Sequence, residues 1–254
     1  MIPLREQDYI RQRFERELES KVKIDYFTQR ASSLYVPGRE ECAHCEDTRQ
    51  MLEELAALSE KLTLTVHELA DEREVALKLG VDKVPGIVVR GPLNRPLRFF
   101  GIPGGNEFPN FVESLLEASK AKVTVDAEAT KHLKRLKDKV SIAVYVTPTC
   151  PHCPAVVRAA YRLALASSHI EASAVEIGEF PRLAERLGVR AVPFIVFGDR
   201  AAIAGAVDEA GLAEQALKVA EGGVLGSATA TGGASSSMGA AAGPSPASGL
   251  VLPR

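Results

Sequence analysis

Two seven-residue runs rich in β-branched and aromatic positions, KVKIDYF at 21–27 and VSIAVYV at 140–146, predict strands. Helical patterning follows each, over roughly 43–60 and 151–168. Alternating apolar and polar positions then return in LTLTVHEL and IEASAVEI, as a half-buried strand requires. Short amphipathic helices come next, DEREVALKLG and EFPRLAERLG, each closed by a glycine suited to a left-handed C-cap. GIVVR and FIVFG predict strands, a further strand follows each, and last helices begin near Asn106 and Asp208, both good N-cap types. Amphipathic helices over 4–19 and 126–137 precede the two series.

The two series are copies. Leu79, Gly80, Val81, Val84, Pro85, Ile87 and Val88 recur as Leu187, Gly188, Val189, Val192, Pro193, Ile195 and Val196, at one constant offset. The same offset carries Cys42 and Cys45 onto Cys150 and Cys153. Strand, helix, strand, helix, two strands and a helix make a small α/β unit with helices on both faces of a central mixed sheet. The expected organisation is one unit over 1–120, a second over 121–221, and a disordered tail rich in Gly, Ala, Ser and Pro over 222–254. KAKVTV, near 120–125, is the expected junction.

Composition narrows the function. The chain has 254 residues, 46% hydrophobic and 25% charged, with a formal charge of -2, which disfavours nucleic acid or an anionic membrane as the main partner. No apolar run approaches the roughly 20 residues of a membrane helix. The opening twenty residues are charged and lack a secretory apolar core, so the cytoplasm is the expected compartment. Thiols are kept reduced there, and a Cys-x-x-Cys pair is more often catalytic or metal-binding than structural.

In both copies the first cysteine falls where a strand gives way to a helix. Unpaired N–H groups and the helix dipole favour a thiolate there, and thiol pKa values fall from about 8.5 to roughly 3.5–7.5 in such settings. The second cysteine, one turn on, can close a disulfide and so resolve a mixed disulfide with a substrate. Cys42 and Cys150 are the expected attacking thiols, and Cys45 and Cys153 the resolving ones. The alternative is a zinc-binding structural or interaction module built from all four. Ribbon sites keep their pairs about 15–20 residues apart, however, whereas a whole repeat intervenes here. The expected metal is none.

Strand, Cys-x-x-Cys, helix and a Val-Pro before the next strand resemble a thioredoxin or glutaredoxin domain. With VTPTCPHCP, RFFGIPGGNEF and the amphipathic opening helix, residues 4–220 closely resemble the protein disulfide oxidoreductases of thermophiles, which fuse two such domains. The resemblance implies reduction, oxidation or isomerisation of protein disulfides without a bound cofactor. It implies electrons from a flavoprotein of the thioredoxin reductase type, and a related role in relay to a peroxiredoxin. It also implies that Pro85 and Pro193 are cis and that Val84 and Val192 offer backbone groups to a substrate strand.

Several positions depart from the family pattern. Ala43-His44 and Pro151-His152 separate the cysteines, and each His, if protonated, favours the neighbouring thiolate. Glu40, Glu41, Glu46 and Asp47 flank the first pair, whereas no acid lies close in sequence to the second. Cys150 is therefore expected to have the lower pKa. The longer approach QRASSLYVPGREE is expected to be a surface loop. Asp25 reads as an exposed strand acid, with Val144 in its place in the second copy. Lys83 and Ala191 replace the usual glutaredoxin threonine, which argues against specific glutathione binding.

Overall fold

The structure, a computed structural model, describes residues 2–30 and 41–223. Most of the approach to Cys42, including Glu40, and almost all of the expected tail lie outside the described residues. The first copy runs α1 (Leu4–Glu17), β1 (Val22–Thr28), α2 (Cys45–Ala56), β2 (Leu62–Glu68), α3 (Arg73–Leu79), β3 (Gly86–Arg90), β4 (Leu97–Phe100) and α4 (Glu107–Ala118). The second runs α5 (Ala127–Arg135), β5 (Val140–Val146), α6 (Cys153–Ala166), β6 (Ile170–Glu176), a 3-10 turn (Ile177–Glu179), α7 (Pro181–Leu187), β7 (Phe194–Phe197), β8 (Ala201–Ala204) and α8 (Glu209–Ala220). This is the predicted order in both copies, with the 3-10 turn as an addition.

Helix ends follow local chemistry. α3 and α7 stop at Gly80 (φ 69°) and Gly188 (φ 64°), left-handed positions that suit glycine. Asp126 caps α5 by accepting the N–H groups of Glu128 and Ala129, and Asp208 caps α8 by accepting that of Gly211. Asn106 corrects the expectation. Its side chain makes no capping bond, and its own N–H donates to the carbonyl of Pro148, at 2.9 Å, in the other copy. The first N–H groups of the helix are met by the turn itself, Glu107 donating to the Gly104 carbonyl at 3.1 Å and Phe108 to that of Gly105 at 3.2 Å.

Each copy holds one parallel strand pair and two antiparallel ones, and the copies fuse edge to edge. β4 pairs in parallel with β6, Leu97 opposite Ala172 through Phe100 opposite Val175. One eight-stranded sheet results, in the order β2-β1-β3-β4-β6-β5-β7-β8. The join pairs two edges that would otherwise present unsatisfied N–H and C=O groups. It was not apparent from sequence, because strand pattern reports a buried face and not the neighbour along the hydrogen-bonding direction.

Both cores also cross the join. On one face Ile24, Tyr26 and Leu52 belong to the same buried cluster as Ile142, Val157 and Leu163. On the other, Phe27, Val81 and Phe100 share a cluster with Tyr145, Val175 and Phe194. Burying each such large side chain contributes about 1.5–3 kcal/mol, so the copies lean on one another for stability.

Candidate active site

Both cysteine pairs are closed as disulfides, with Cα separations of 5.5 Å for Cys42–Cys45 and 5.6 Å for Cys150–Cys153. They lie at the ends of β1 and β5, at the mouths of α2 and α6, and they fit redox centres. The helices begin at Cys45 and Cys153, two residues later than the pattern suggested, with His44 and His152 at the N-cap positions. Neither histidine side chain makes a capping bond, and both are exposed. In the second pair a sulfur does that work instead: the Cys153 N–H donates to Cys150 Sγ at 3.1 Å. An N–H that the helix leaves unpaired thus points at the leading sulfur. The leading sulfurs differ in access. Cys150 is 6% exposed, whereas Cys42 is half-buried.

Val84–Pro85 and Val192–Pro193 are both cis, as the resemblance implied. Each proline carbonyl accepts an N–H from just past the neighbouring strand, Gly101 to Pro85 at 2.8 Å and Gly205 to Pro193 at 2.9 Å. Around the first pair, Cys42, Ala43, His44, Val84 and Pro85 line one cleft of about 270 Å³. Its opposite wall is Glu176, Gly178, Glu179 and Phe180 of the second copy. Around the second pair, Pro151 and His152 are exposed, Pro193 is buried, and half-buried Val192 packs against the core that holds both sulfurs. Lys83 lies over the Phe100 ring at 4.0 Å and pairs with Asp82, while Ala191 is exposed.

Asp25 is corrected twice. It is buried, 7% exposed, and bonded to Arg90 Nη2 at 2.6 Å and His67 Nε2 at 3.1 Å. Sheet register pairs it with Val88, as it pairs Ala143 with Val196, so its counterpart is Ala143 and not Val144. Along β1 it shares a face with Phe27 and lies opposite Ile24 and Tyr26. Tyr26 lies on the face of α2 and donates its hydroxyl to the Cys45 carbonyl at 2.6 Å. Asp25 therefore belongs to a buried ion network that runs through His67 to Glu72, at 2.7 Å from His67 Nδ1, and Glu72 lines a cleft with Cys42 and Cys45.

Two carboxylates escaped notice in the sequence. Glu107 opens α4 at 1% exposure; Asn110 donates to its Oε2 at 3.0 Å, and its Oε1 is buried with no partner. Burial, only partly offset by Asn110, pushes its pKa up to about 7. The bond from Asn106 to Pro148 and the packing of α4 on α6 set it in the seam beside the mouth of α6, close enough to affect Tyr161 two turns along. Its signal was visible: a glutamate in helical register with the apolar Phe111 and Leu115. Glu179 accepts the Ile102 N–H at 2.6 Å. Burial raises its pKa, against the lowering effects of that N–H and of His44.

Among the described residues, no three His, Cys, Asp or Glu side chains gather as a metal site. The cysteines stay in two pairs and do not form the four-sulfur clip of the zinc alternative. No helix among the described residues is long and apolar enough to cross a membrane.

Comparison with known proteins points the same way. The family model for the thioredoxin domain matches residues 36–113 and 140–218. An alkyl hydroperoxide reductase subunit of Pseudomonas putida is 29% identical over 194 residues, 69% of this chain and 37% of that protein. The chain spans between 26% and 37% of the length of the three such reductase subunits it matches. A thioredoxin of Methanocaldococcus jannaschii is 33% identical over 81 residues, 32% of this chain and 95% of that one. Among solved structures, the alkylhydroperoxide reductase AhpF of Enterococcus faecalis superposes with a TM-score of 0.72 at 26% identity. It covers 84% of this chain and 98% of that one. A protein disulfide oxidoreductase of Aeropyrum pernix has the same fold, with a TM-score of 0.73, 23% identity, and coverage of 88% and 95%.

Proposed function

Because the chain belongs to the thioredoxin domain family, we propose that it is a dithiol–disulfide oxidoreductase acting on protein disulfides through two centres, one in each of the units 1–120 and 121–221. The observation that carries this reading is the Cys153 N–H aimed at Cys150 Sγ, at the mouth of a helix. That donor stabilises the charged form of the leading sulfur once the pair is reduced.

In the reducing direction, Cys150 thiolate attacks one sulfur of a substrate disulfide. A Cys150–substrate bond forms, and the substrate's other sulfur leaves as a thiolate that takes a proton. Cys153 then gives up its proton and attacks Cys150 Sγ. The intramolecular disulfide forms, and the second substrate thiol is released. Two electrons and two protons have passed to the substrate. Cys42 and Cys45 run the same exchange in the first unit, with Val84 and Pro85 beside the leading sulfur and Val192 and Pro193 in the equivalent place in the second.

Electrons to restore the dithiols would come from a flavoprotein of the thioredoxin reductase type, with a peroxiredoxin as a related acceptor, in the cytoplasm. Net direction is set by potentials, since about 30 mV, or 1.4 kcal/mol, shifts the balance appreciably. Insulin reduction by the pre-reduced full chain tests the proposal. Wild type should precipitate the insulin B chain faster than a dithiothreitol control, and Cys42→Ser/Cys150→Ser should not. Equal rates in the two proteins would refute it.

A further inference from the structure

We propose that the first redox site selects disulfides flanked by lysine or arginine, and that Glu179, with Glu176 and Glu41, sets the preference. The inference rests on the exchange reaction proposed above and adds its substrate class. The cleft over Cys42 is built by both units, and three of its lining residues are carboxylates: Glu41 from the first unit, Glu176 and Glu179 from the second. No lysine or arginine stands among the described residues that line it; Arg30 and Arg49 line a separate cleft that also touches Cys42, where Arg30 pairs with Glu68 and Asp71 and Arg49 with Glu53.

The carboxylates of the far wall are held by neutral donors. Glu176 accepts the N–H groups of Gly178 at 3.0 Å and Glu179 at 2.9 Å, and Glu179 accepts that of Ile102 at 2.6 Å. Backbone dipoles fix these side chains in place without cancelling their charge. Among the described residues of the lining His44 is the one cationic type, and its ring faces Asp47 at 3.5 Å. The remaining walls, Val84, Pro85 and Phe180, are apolar and limit water. Charge held between low-dielectric walls acts more strongly than on an open surface.

At about 270 Å³ the cleft admits the side chains of an extended segment and excludes a folded domain. A substrate strand lying beside Val84 places the residues next to its cysteine between Glu41 and Glu179. An ammonium or guanidinium there gains on approach. The two carboxylates of glutathione lose, so glutathione disulfide is a poor substrate of this site. The second unit carries exposed Arg190 and Arg158 on segments neighbouring its own site.

The test uses the full chain with the second site silenced, Cys150→Ser/Cys153→Ser, and its mirror, Cys42→Ser/Cys45→Ser. Each reduced protein reacts with three synthetic peptides carrying a cysteine–thiopyridine disulfide flanked by Lys, Ser or Glu. Rates are normalised to those with free dithiothreitol, which removes the intrinsic reactivity of each peptide. Cys42 should prefer the Lys peptide to the Ser peptide by about fivefold at low salt and disfavour the Glu peptide by a similar factor. The preference should shrink at 0.5 M salt, on the order of a 4 Å screening length, shrink in Glu179→Gln, and be absent from the mirror protein. Should Glu179→Gln fail to fold, Glu41→Gln at an exposed position carries the same test. Equal normalised rates for all three peptides, or a preference unmoved by salt and by both variants, would overturn the inference while leaving the exchange reaction intact. No reaction at Cys42 with any peptide would overturn both.

Discussion

The two redox centres share a scaffold and differ in what the rest of the molecule brings to them. At the second, both sulfurs are nearly buried, 6% and 0% exposed, and a buried glutamate from the first unit lies in the adjoining seam. At the first, Cys42 is half-buried at the floor of a cleft whose acidic wall comes from the second unit. Each unit thus completes the other's site, in a different way. The cause is the edge-to-edge join. Pairing β4 with β6 carries the turn after β4 onto Pro148, where a Cβ on Gly105 would lie 2.3 Å from the Pro148 carbonyl oxygen. Just past β4, a Cβ on Gly101 would lie 2.8 Å from Glu176 and Glu179, whereas its counterpart past β8, Gly205, has open space around it. Duplication made two equal halves; one asymmetric contact made their sites unequal.

That contrast can be broken most decisively at the sulfurs. Cys150→Ser should abolish exchange at the second centre and leave the first active, as insulin reduction by each single-site protein would show. Alkylation rates against pH should then give Cys150 a lower apparent pKa than Cys42, because the Cys153 N–H supports its thiolate and acids crowd the first pair. A lower value for Cys42 would reverse the ranking.

Next in size is Glu107→Gln, which removes the buried carboxyl from the seam between the units and should act on stability. The folded pKa of about 7 lies above the ordinary 4.5, so between these values the folded chain keeps a proton that the unfolded chain releases. The parent protein therefore loses stability as pH rises through this window, by roughly 3 kcal/mol at most. Urea titration should show the Gln variant gaining on the parent at pH 8 and not at pH 4.

Asp25→Ala should act on stability and not on chemistry. It strips Arg90 and His67 of a buried partner and should lower stability by about 3 kcal/mol, while exchange at Cys42 holds near the parent rate in the folded protein. A large loss of exchange in the folded variant would return Asp25 to the site. The smallest effect expected is that of Gly105→Ala, about 1–3 kcal/mol from a left-handed position (φ 56°) pressed against Pro148. Gly104→Ala next to it, with open space, is the control. Thermal melts of the pair would show whether the bridging turn is held as tightly as its contacts imply.

Much of this was legible in the chain itself. The repeat register, the four cysteines, the Val-Pro pairs, the glycine-closed helices α3 and α7 and the Asp126 and Asp208 caps all rest on neighbours within a few positions, or on one offset applied throughout. Asn106, Asp25 and Glu107 were misread or missed for a common reason. Each has its decisive partner far away in sequence: Pro148 for Asn106, Arg90 and His67 for Asp25, the mouth of α6 for Glu107.

The sequence by itself determined two thioredoxin-like units and the thiols each presents, since periodicity, helix starts and Cys-x-x-Cys spacing are local properties. Only the tertiary structure decided that the units share one sheet, that Glu107 is buried and that Glu179 overlooks Cys42. Which edge meets which, and so which carboxylate leaves water beside which sulfur, follows from surfaces that exist only after each unit has folded.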